Sequence, residues 1–392
     1  MRHPTDRGRR ALAVLLVHSV LTQLITFVLR PTSAYRALEL DVPTAWLGAL
    51  TASFAVVPLL LAVPSGQATD RFGERRVMLL GAVLMTLAGA VFVLDVGGAA
   101  GLVLGSVVLG TGHLLSVVGQ QAAVANTAGP GRFDTAFGHY TFAASLGQAA
   151  GPILITLLGG GGELPDTGPI FLSATALGVV LLICTACLRM PARERVSGPG
   201  ASGGMGTLLR LPGLLRALLI SCVVLAAVDI TLVYLPALGT DRGLAAGVVG
   251  LLLTLRAVAS MASRFFLGRL VGWVGRRRLM IVSVALSAAA MAALAVPLPA
   301  PALIALVLVL GLGLGVGQPL TMSWLAEVAP PGQRGRALSL RLTGNRLGQV
   351  LIPSTVGLVA AGVGAAGVLG ATAAALAVVG VAARRLAVDS AS

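Results

Sequence analysis

Residues 43–94 read PTAWLGALTASFAVVPLLLAVPSGQATDRFGERRVMLLGAVLMTLAGAVFVL. Two apolar runs, 43–64 and 77–95, flank a short loop that carries Asp70, Arg71, Glu74, Arg75 and Arg76. A hydrocarbon layer about 30 Å thick needs about 20 helical residues to cross it. Inside lipid, only helices or closed barrels satisfy their own backbone groups. The runs are continuous and do not alternate with period two, so they are read as helices.

The pattern repeats from end to end. Spans are expected near 11–30, 43–64, 77–95, 101–124, 136–158, 169–189, 214–238, 245–266, 279–296, 302–325, 337–360 and 364–383. That makes an all-α polytopic membrane protein of twelve transmembrane helices. Of the 392 residues, 56% are hydrophobic and 11% charged, whereas a soluble chain carries about 25% charge. The Pro/Gly/Ser-rich stretch 191–213 reads as a cytoplasmic linker. It separates a six-helix bundle at 1–190 from a second at 214–392.

A net charge of +14 would suit a nucleic-acid partner, but its distribution excludes one. All 28 cationic residues are Arg. Arg30, Arg36 and Arg242 fall on one side, Arg256 falls mid-span, and the rest sit in tails and loops of the other side. This positive-inside bias puts both termini in the cytoplasm. The expected setting is a bacterial cytoplasmic (inner) membrane, with lipid as surroundings and the chain a functional monomer. Arg9-Arg10 before an apolar run could open a signal peptide. The next spans follow at once, so an uncleaved first helix is expected. Cys184, Cys187 and Cys222 lie in apolar spans and read as packing residues. No His/Cys/carboxylate group has metal-ligand spacing and no nucleophile has a base beside it. Neither an enzyme nor a bound cofactor is expected.

The two halves read as copies. Ser145-Leu-Gly-Gln148-Ala-Ala-Gly151-Pro152 pairs with Arg346-Leu-Gly-Gln349-Val-Leu-Ile-Pro353 at an offset of 201, and Pro130-Gly131 pairs with Pro331-Gly332 at the same offset. Gly66, Gly73, Arg75 and Arg76 pair with Gly268, Gly275, Arg277 and Arg278 at 202. A six-helix internal repeat is a hallmark of secondary transporters, which bind a small molecule near the midplane between the repeats. Polarity fits this layout, because the third span of each triplet lacks interior amides, His or charge. The others carry Gln23, His113, Gln148, Asp229, Arg256, Gln318, Asn345, Arg346 and Gln349, which should face protein or a wet cavity.

The loop Gly66-Gln-Ala-Thr-Asp70-Arg71-Phe-Gly73-Glu-Arg75-Arg76 resembles the loop signature of the major facilitator superfamily. Gly66, Asp70, Arg71, Gly73 and Arg75 match it. In the second copy Gly272 stands where the Asp would be. Physically, Gly66 lets two helices approach. Asp70 can bind the positive end of a neighbouring helix, or an Arg, in one conformation only. Gly138, Gly147, Gly151 and Pro152 in the fifth span resemble the antiporter motif of the twelve-helix drug/proton antiporters. Ser106 stands near the place where many of them carry an Arg. The resemblance implies alternating access between two halves related by pseudo-two-fold symmetry, driven by a proton gradient and carrying drugs outward. The run Gly311-x-Gly313-x-Gly315-x-Gly317 follows no strand, so it reads as helix packing and not as a nucleotide loop.

Asp229 is the one acidic residue deep in an apolar span, and Arg256 lies within about 5 Å of its depth by helical rise. Such a pair suits a proton-coupled switch, and equally a static brace between two helices. Arg341 and Arg346 could snorkel toward the interface or face the cavity. The excess of Arg over Asp points to neutral or anionic cargo. The expectation is therefore an efflux antiporter of small organic molecules, the alternative being an anion-selective metabolite permease or exchanger of the same fold.

Overall fold

The computed structural model describes residues 6–42, 44–95, 97–129, 131–160, 165–188, 208, 211, 213–244, 246–330, 332–359 and 364–383. Among these residues there are thirteen α-helices and no strand. In the first half, α1 is Asp6–Glu39, α2 Thr44–Phe72, α3 Glu74–Leu94, α4 Ala99–Thr127, α5 Phe133–Leu158 and α6 Thr167–Cys187. In the second, α7 is Leu214–Asp241, α8 Ala246–Phe265, α9 Leu267–Val274, α10 Arg276–Leu294, α11 Ala300–Val328, α12 Arg334–Val359 and α13 Gly364–Ala383.

Each of the twelve expected spans coincides with a long helix, and α9 continues the eighth after a break at Phe266. Ten described segments are long and apolar enough to cross a membrane. Most of the expected linker 191–213 lies outside the described residues. The largest boundary difference is at α1, which runs nine residues past Arg30 and through Pro31. A charge at the membrane edge does not stop a helix. This one ends where Asp41 takes the left-handed conformation, at φ 54°.

Two compact units form. The first comprises Met1–Gly129, Ala143–Ala201 and Pro330–Leu340; the second comprises Pro130–Phe142, Ser202–Ala329 and Arg341–Ser392. Helices α5 and α12 therefore each begin in one unit and continue in the other.

Within the first unit α3 packs on α4 and α6, α2 on α4, and α1 on α6 and α4. Within the second, α10 packs on α11 and α13, α8 on α11, and α7 on α13 and α11. Term by term these are the same five packings, the structural counterpart of the sequence repeat. The first unit's core includes Ile25, Leu29, Phe54, Met85, Phe92 and Phe171, with the last two rings stacked at 5.2 Å. In the second unit, small residues do most of the close packing. A methyl on Gly311 or Gly315 would strike α8, one on Gly313 would strike α10, and one on Gly317 would strike α7. The alternating glycines let one helix approach three others, as expected for a packing run.

Candidate functional site

The second unit buries an unusual amount of positive charge. Asp229 on α7 is half-buried, and its carboxylate acts electrostatically on Arg256 of α8 and on Arg346 of α12. Arg256 is 5% exposed. Arg264, about two turns further along α8 by residue count, donates from Nε to Gly315 O at 3.4 Å. Arg341 on α12 does not snorkel, because it is 1% exposed. Its Nη1 donates to Gln318 Oε1 at 2.6 Å and to Ser221 Oγ at 3.1 Å. Ser221 donates to Asn345 Oδ1 at 2.8 Å, Asn345 Nδ2 donates to Gln318 Oε1 at 3.3 Å, and Gln318 Nε2 donates to Ser221 O at 2.9 Å. Helices α7, α11 and α12 are thus tied by a closed polar network, with a guanidinium fixed in its middle. A guanidinium presents planar donors suited to oxyanions.

The first unit answers with neutral groups. Gln148 Nε2 of α5 donates to Gln23 Oε1 of α1 at 3.3 Å, and Gln23 Nε2 lies 3.4 Å from His113 Nε2 of α4. Three expected cavity residues therefore meet. The side chain of Gln349, the repeat mate of Gln148, lies outside the described residues. A second network, absent from the sequence reading, is fully buried. Gln120 Nε2 donates to His18 Nδ1 at 2.7 Å, so His18 carries its proton on Nε2. That proton goes to Thr185 Oγ1 at 2.8 Å, and Thr185 donates to Leu181 O. The imidazole links α1, α4 and α6.

The loop motif forms a latch at the start of α12. Gly335 N donates to Asp70 Oδ1 and Arg336 N to Asp70 Oδ2, both at 3.0 Å, and Arg336 Nε lies 3.6 Å from Oδ2. The carboxylate, at 3% side-chain exposure, caps a helix that is not its own. A methyl on Gly66 would overlap Ser339, which explains the glycine by close approach. Gly73, at φ 90°, turns the chain from α2 into α3 in a conformation costly for other residues. Arg75 Nη2 donates to Ala186 O at 2.6 Å, at the carboxyl end of α6, and Arg71 stacks over Phe72. Glu74 accepts from Asn126, and Asn126 accepts from Arg334 of α12 at 3.1 Å.

The second motif copy makes its own latch, with the charges reversed. Gly275 repeats the turn at φ 82°. Arg276, the counterpart of Glu74, grips Asp134 in the first turn of α5, with Nη2 to Oδ2 at 2.7 Å and Nε to both oxygens at 3.2 Å. It also pairs with Glu327, the counterpart of Asn126. Sequence reading noted the missing acid at Gly272 and missed this replacement. The 201 and 202 offsets, applied to Glu74, Asn126 and Gly335, would have pointed to it.

The antiporter-type glycines divide their work. A methyl on Gly147 or Gly151 would strike α1 at Val20 or Phe27, while one on Gly138 would strike α8 at Arg264 O. Pro152 lies inside α5. Among the described residues, no group of three His, Cys, Asp or Glu could hold a metal ion.

Residues 15–247 and 217–392 match the sequence profile of the Major Facilitator Superfamily. No curated protein sequence matches the chain. Solved structures with the same fold include the human organic anion transporter MFSD10, at 18% identity and TM-score 0.79, over 97% of this chain and 100% of that one. The E. coli fucose:proton symporter FucP aligns at 15% identity and TM-score 0.81, over 96% and 97%. The proton:xylose symporter XylE aligns at 14% identity and TM-score 0.78, over 97% and 95%.

Proposed function

Because the chain belongs to the Major Facilitator Superfamily, we propose that it is a proton-coupled secondary transporter that moves small organic molecules by alternating access. It works as an exporting antiporter of the bacterial inner membrane, with both termini cytoplasmic and the proton gradient as its energy source. The observation that carries this reading is Asp229, a single carboxylate set among buried cations of α8 and α12. Ionised, it holds Arg256 and Arg346; protonated, it releases them. That exchange couples one proton to the freedom of two helices. Asp70 and Arg276 act as conformational latches, because each ties the first turn of a helix to the unit that does not contain the rest of that helix.

Cargo is read as neutral or anionic. Asp229 acts on Arg256 and Arg346, Arg264 and Arg341 lie on the same two helices, α8 and α12, and desolvated Arg favours carboxylate or phosphate. The same excess favours a second reading, an anion-selective permease or exchanger of this fold. Uptake of a labelled compound panel into proteoliposomes, with and without a pH gradient, separates the two. The exporter reading requires a pH gradient to drive accumulation, and a gradient-independent one-for-one exchange of anions would replace it with the second.

A further inference from the structure

The break at Phe266 takes no part in the networks or latches above, and the helix after it presents a face of its own. Helix α9 is eight residues long. Its inner side is seated on α5, since Leu267 is fully buried and a methyl on Gly268 would strike Thr135. Phe266, Arg269 and Trp273 follow at spacings of three and four, so they share the outer side. All three are exposed, Trp273 at 79%. The Phe266 ring is braced edge-on by Phe265 at 5.0 Å, and Phe265 packs in turn on Phe142 of α5 at 5.2 Å. The Arg269 guanidinium carbon stands 5.6 Å from the Phe266 centroid. Arg278 follows in the first turn of α10 and is exposed as well. No hydrogen bond or ion pair joins the side chain of Arg269 or Arg278 to another described residue. The acids that reach this end of α10, Asp134 and Glu327, are engaged by Arg276.

The first motif copy has no such face. At the offset of 202, Phe266, Arg269 and Trp273 correspond to Pro64, Gln67 and Arg71, and α2 runs unbroken to Phe72. The break and the aromatic face thus occur together, in one copy only. An exposed indole beside apolar rings and a guanidinium suits the boundary between hydrocarbon and headgroups, where the ring buries apolar area and its N–H stays among polar groups. Exposed apolar side chains continue into the neighbouring helices, at Val258 of α8 and Val282 of α10. Arg278 stands about 6 Å beyond the level of Val282 by helical rise, comparable to the depth of a headgroup layer.

We propose that the outer face of α9 seats an acidic phospholipid of the surrounding bilayer. Arg269 and Arg278 attract the phosphodiester, Trp273 lies at the boundary layer, and Phe265 with Phe266 packs on the acyl chains. A zwitterionic headgroup brings its own ammonium to the same cations and is less favoured. The seat stands on α9 alone and does not depend on the transport reading.

The test is tryptophan quenching of the full chain in phosphatidylcholine vesicles that hold a minor share of phosphatidylglycerol, with bromine on the acyl chains of one lipid and then of the other. The Trp273 signal is the difference between the wild type and Trp273→Phe, which removes the contribution of Trp46 and Trp324, the other two indoles. Brominated phosphatidylglycerol is expected to quench Trp273 as though enriched about fivefold or more over its share of the vesicle, as exposed Arg beside acidic lipid provides. Arg269→Gln combined with Arg278→Gln should bring that enrichment down to the bulk share. Arg76→Gln, at the position of Arg278 in the first copy, should leave it within about twofold of wild type. Quenching by phosphatidylglycerol at its bulk share in the wild type, or enrichment unchanged in the double Arg variant, overturns the proposal. An equal loss in Arg76→Gln reduces the effect to diffuse surface charge and overturns it too. Trp273 quenched by neither lipid would place α9 in water or against a second chain, and that also overturns it.

Discussion

The two units bury different polar groups: amides and imidazoles on α1, α4 and α5 in the first, and a carboxylate with several Arg on α7, α8 and α12 in the second. In the first unit Gln23, His113 and Gln148 meet, and His18 is bonded by Gln120 and Thr185. In the second unit Asp229 lies on α7, the counterpart of α1, and acts electrostatically on Arg256 and Arg346. Neutral amides and imidazoles can orient a ligand but cannot change charge without a large penalty at depth. A carboxylate among guanidiniums can change charge, since its partners stabilise the ionised form and burial away from them the protonated one. The fold is duplicated while the buried chemistry is not, and the proposed reading places cargo recognition in the first unit and proton coupling in the second.

The comparison breaks most visibly at Arg256. Arg256→Ala leaves Asp229 with less compensation and is expected to cost about 3–5 kcal/mol of stability. Adding Asp229→Asn should recover part of that loss, and thermal unfolding in detergent reads both variants. Equal melting temperatures for the single and double variants would mean that the two residues do not act as a pair.

The latches come next. Asp70→Asn removes charge-assisted hydrogen bonds to Gly335 and Arg336, a loss of roughly 1.5–3 kcal/mol from one conformation. Turnover in proteoliposomes should fall far more than cargo affinity, because the group caps a helix end and touches no cargo. A large loss of affinity at normal turnover would contradict this. Asp134→Asn should give the same kinetic signature through Arg276, with Glu327 retaining the cation and softening the effect.

The smallest effect is expected in the neutral cluster. Gln148→Ala removes one neutral hydrogen bond to Gln23, worth about 0.5–1.5 kcal/mol. Cargo affinity should weaken while its pH dependence stays as in the wild type. A shifted pH profile would move proton chemistry into the first unit and erase the contrast.

The sequence shows which parts of this arrangement are written in periodicity and which in three dimensions. Apolar runs located every long helix, because lipid imposes one length on all of them. The offset repeats anticipated the matched packings of the two units. Asp229 and Arg256 stood out because charge in an apolar run is rare, and Asp70 because its loop spacing recurs. The break at Phe266 carries no Gly or Pro and was not legible. Arg341 read as a candidate for snorkelling because depth along a helix says nothing of which face a side chain takes. The Arg276–Asp134–Glu327 latch joins residues up to 193 positions apart. Only the repeat arithmetic, and no local signal, leads to it. The His18 network was passed over for a similar reason, since Thr185 is 167 residues away and Gln120 is 102.

The central claim, that Asp229 couples proton movement to transport, is tested most directly by gradient-driven transport of a labelled cargo in proteoliposomes carrying wild type or Asp229→Asn at equal density. The account predicts that an imposed pH gradient drives accumulation by the wild type and none by Asp229→Asn, while the variant still folds and still equilibrates cargo without a gradient. Gradient-driven accumulation by Asp229→Asn with the wild-type pH profile would contradict it.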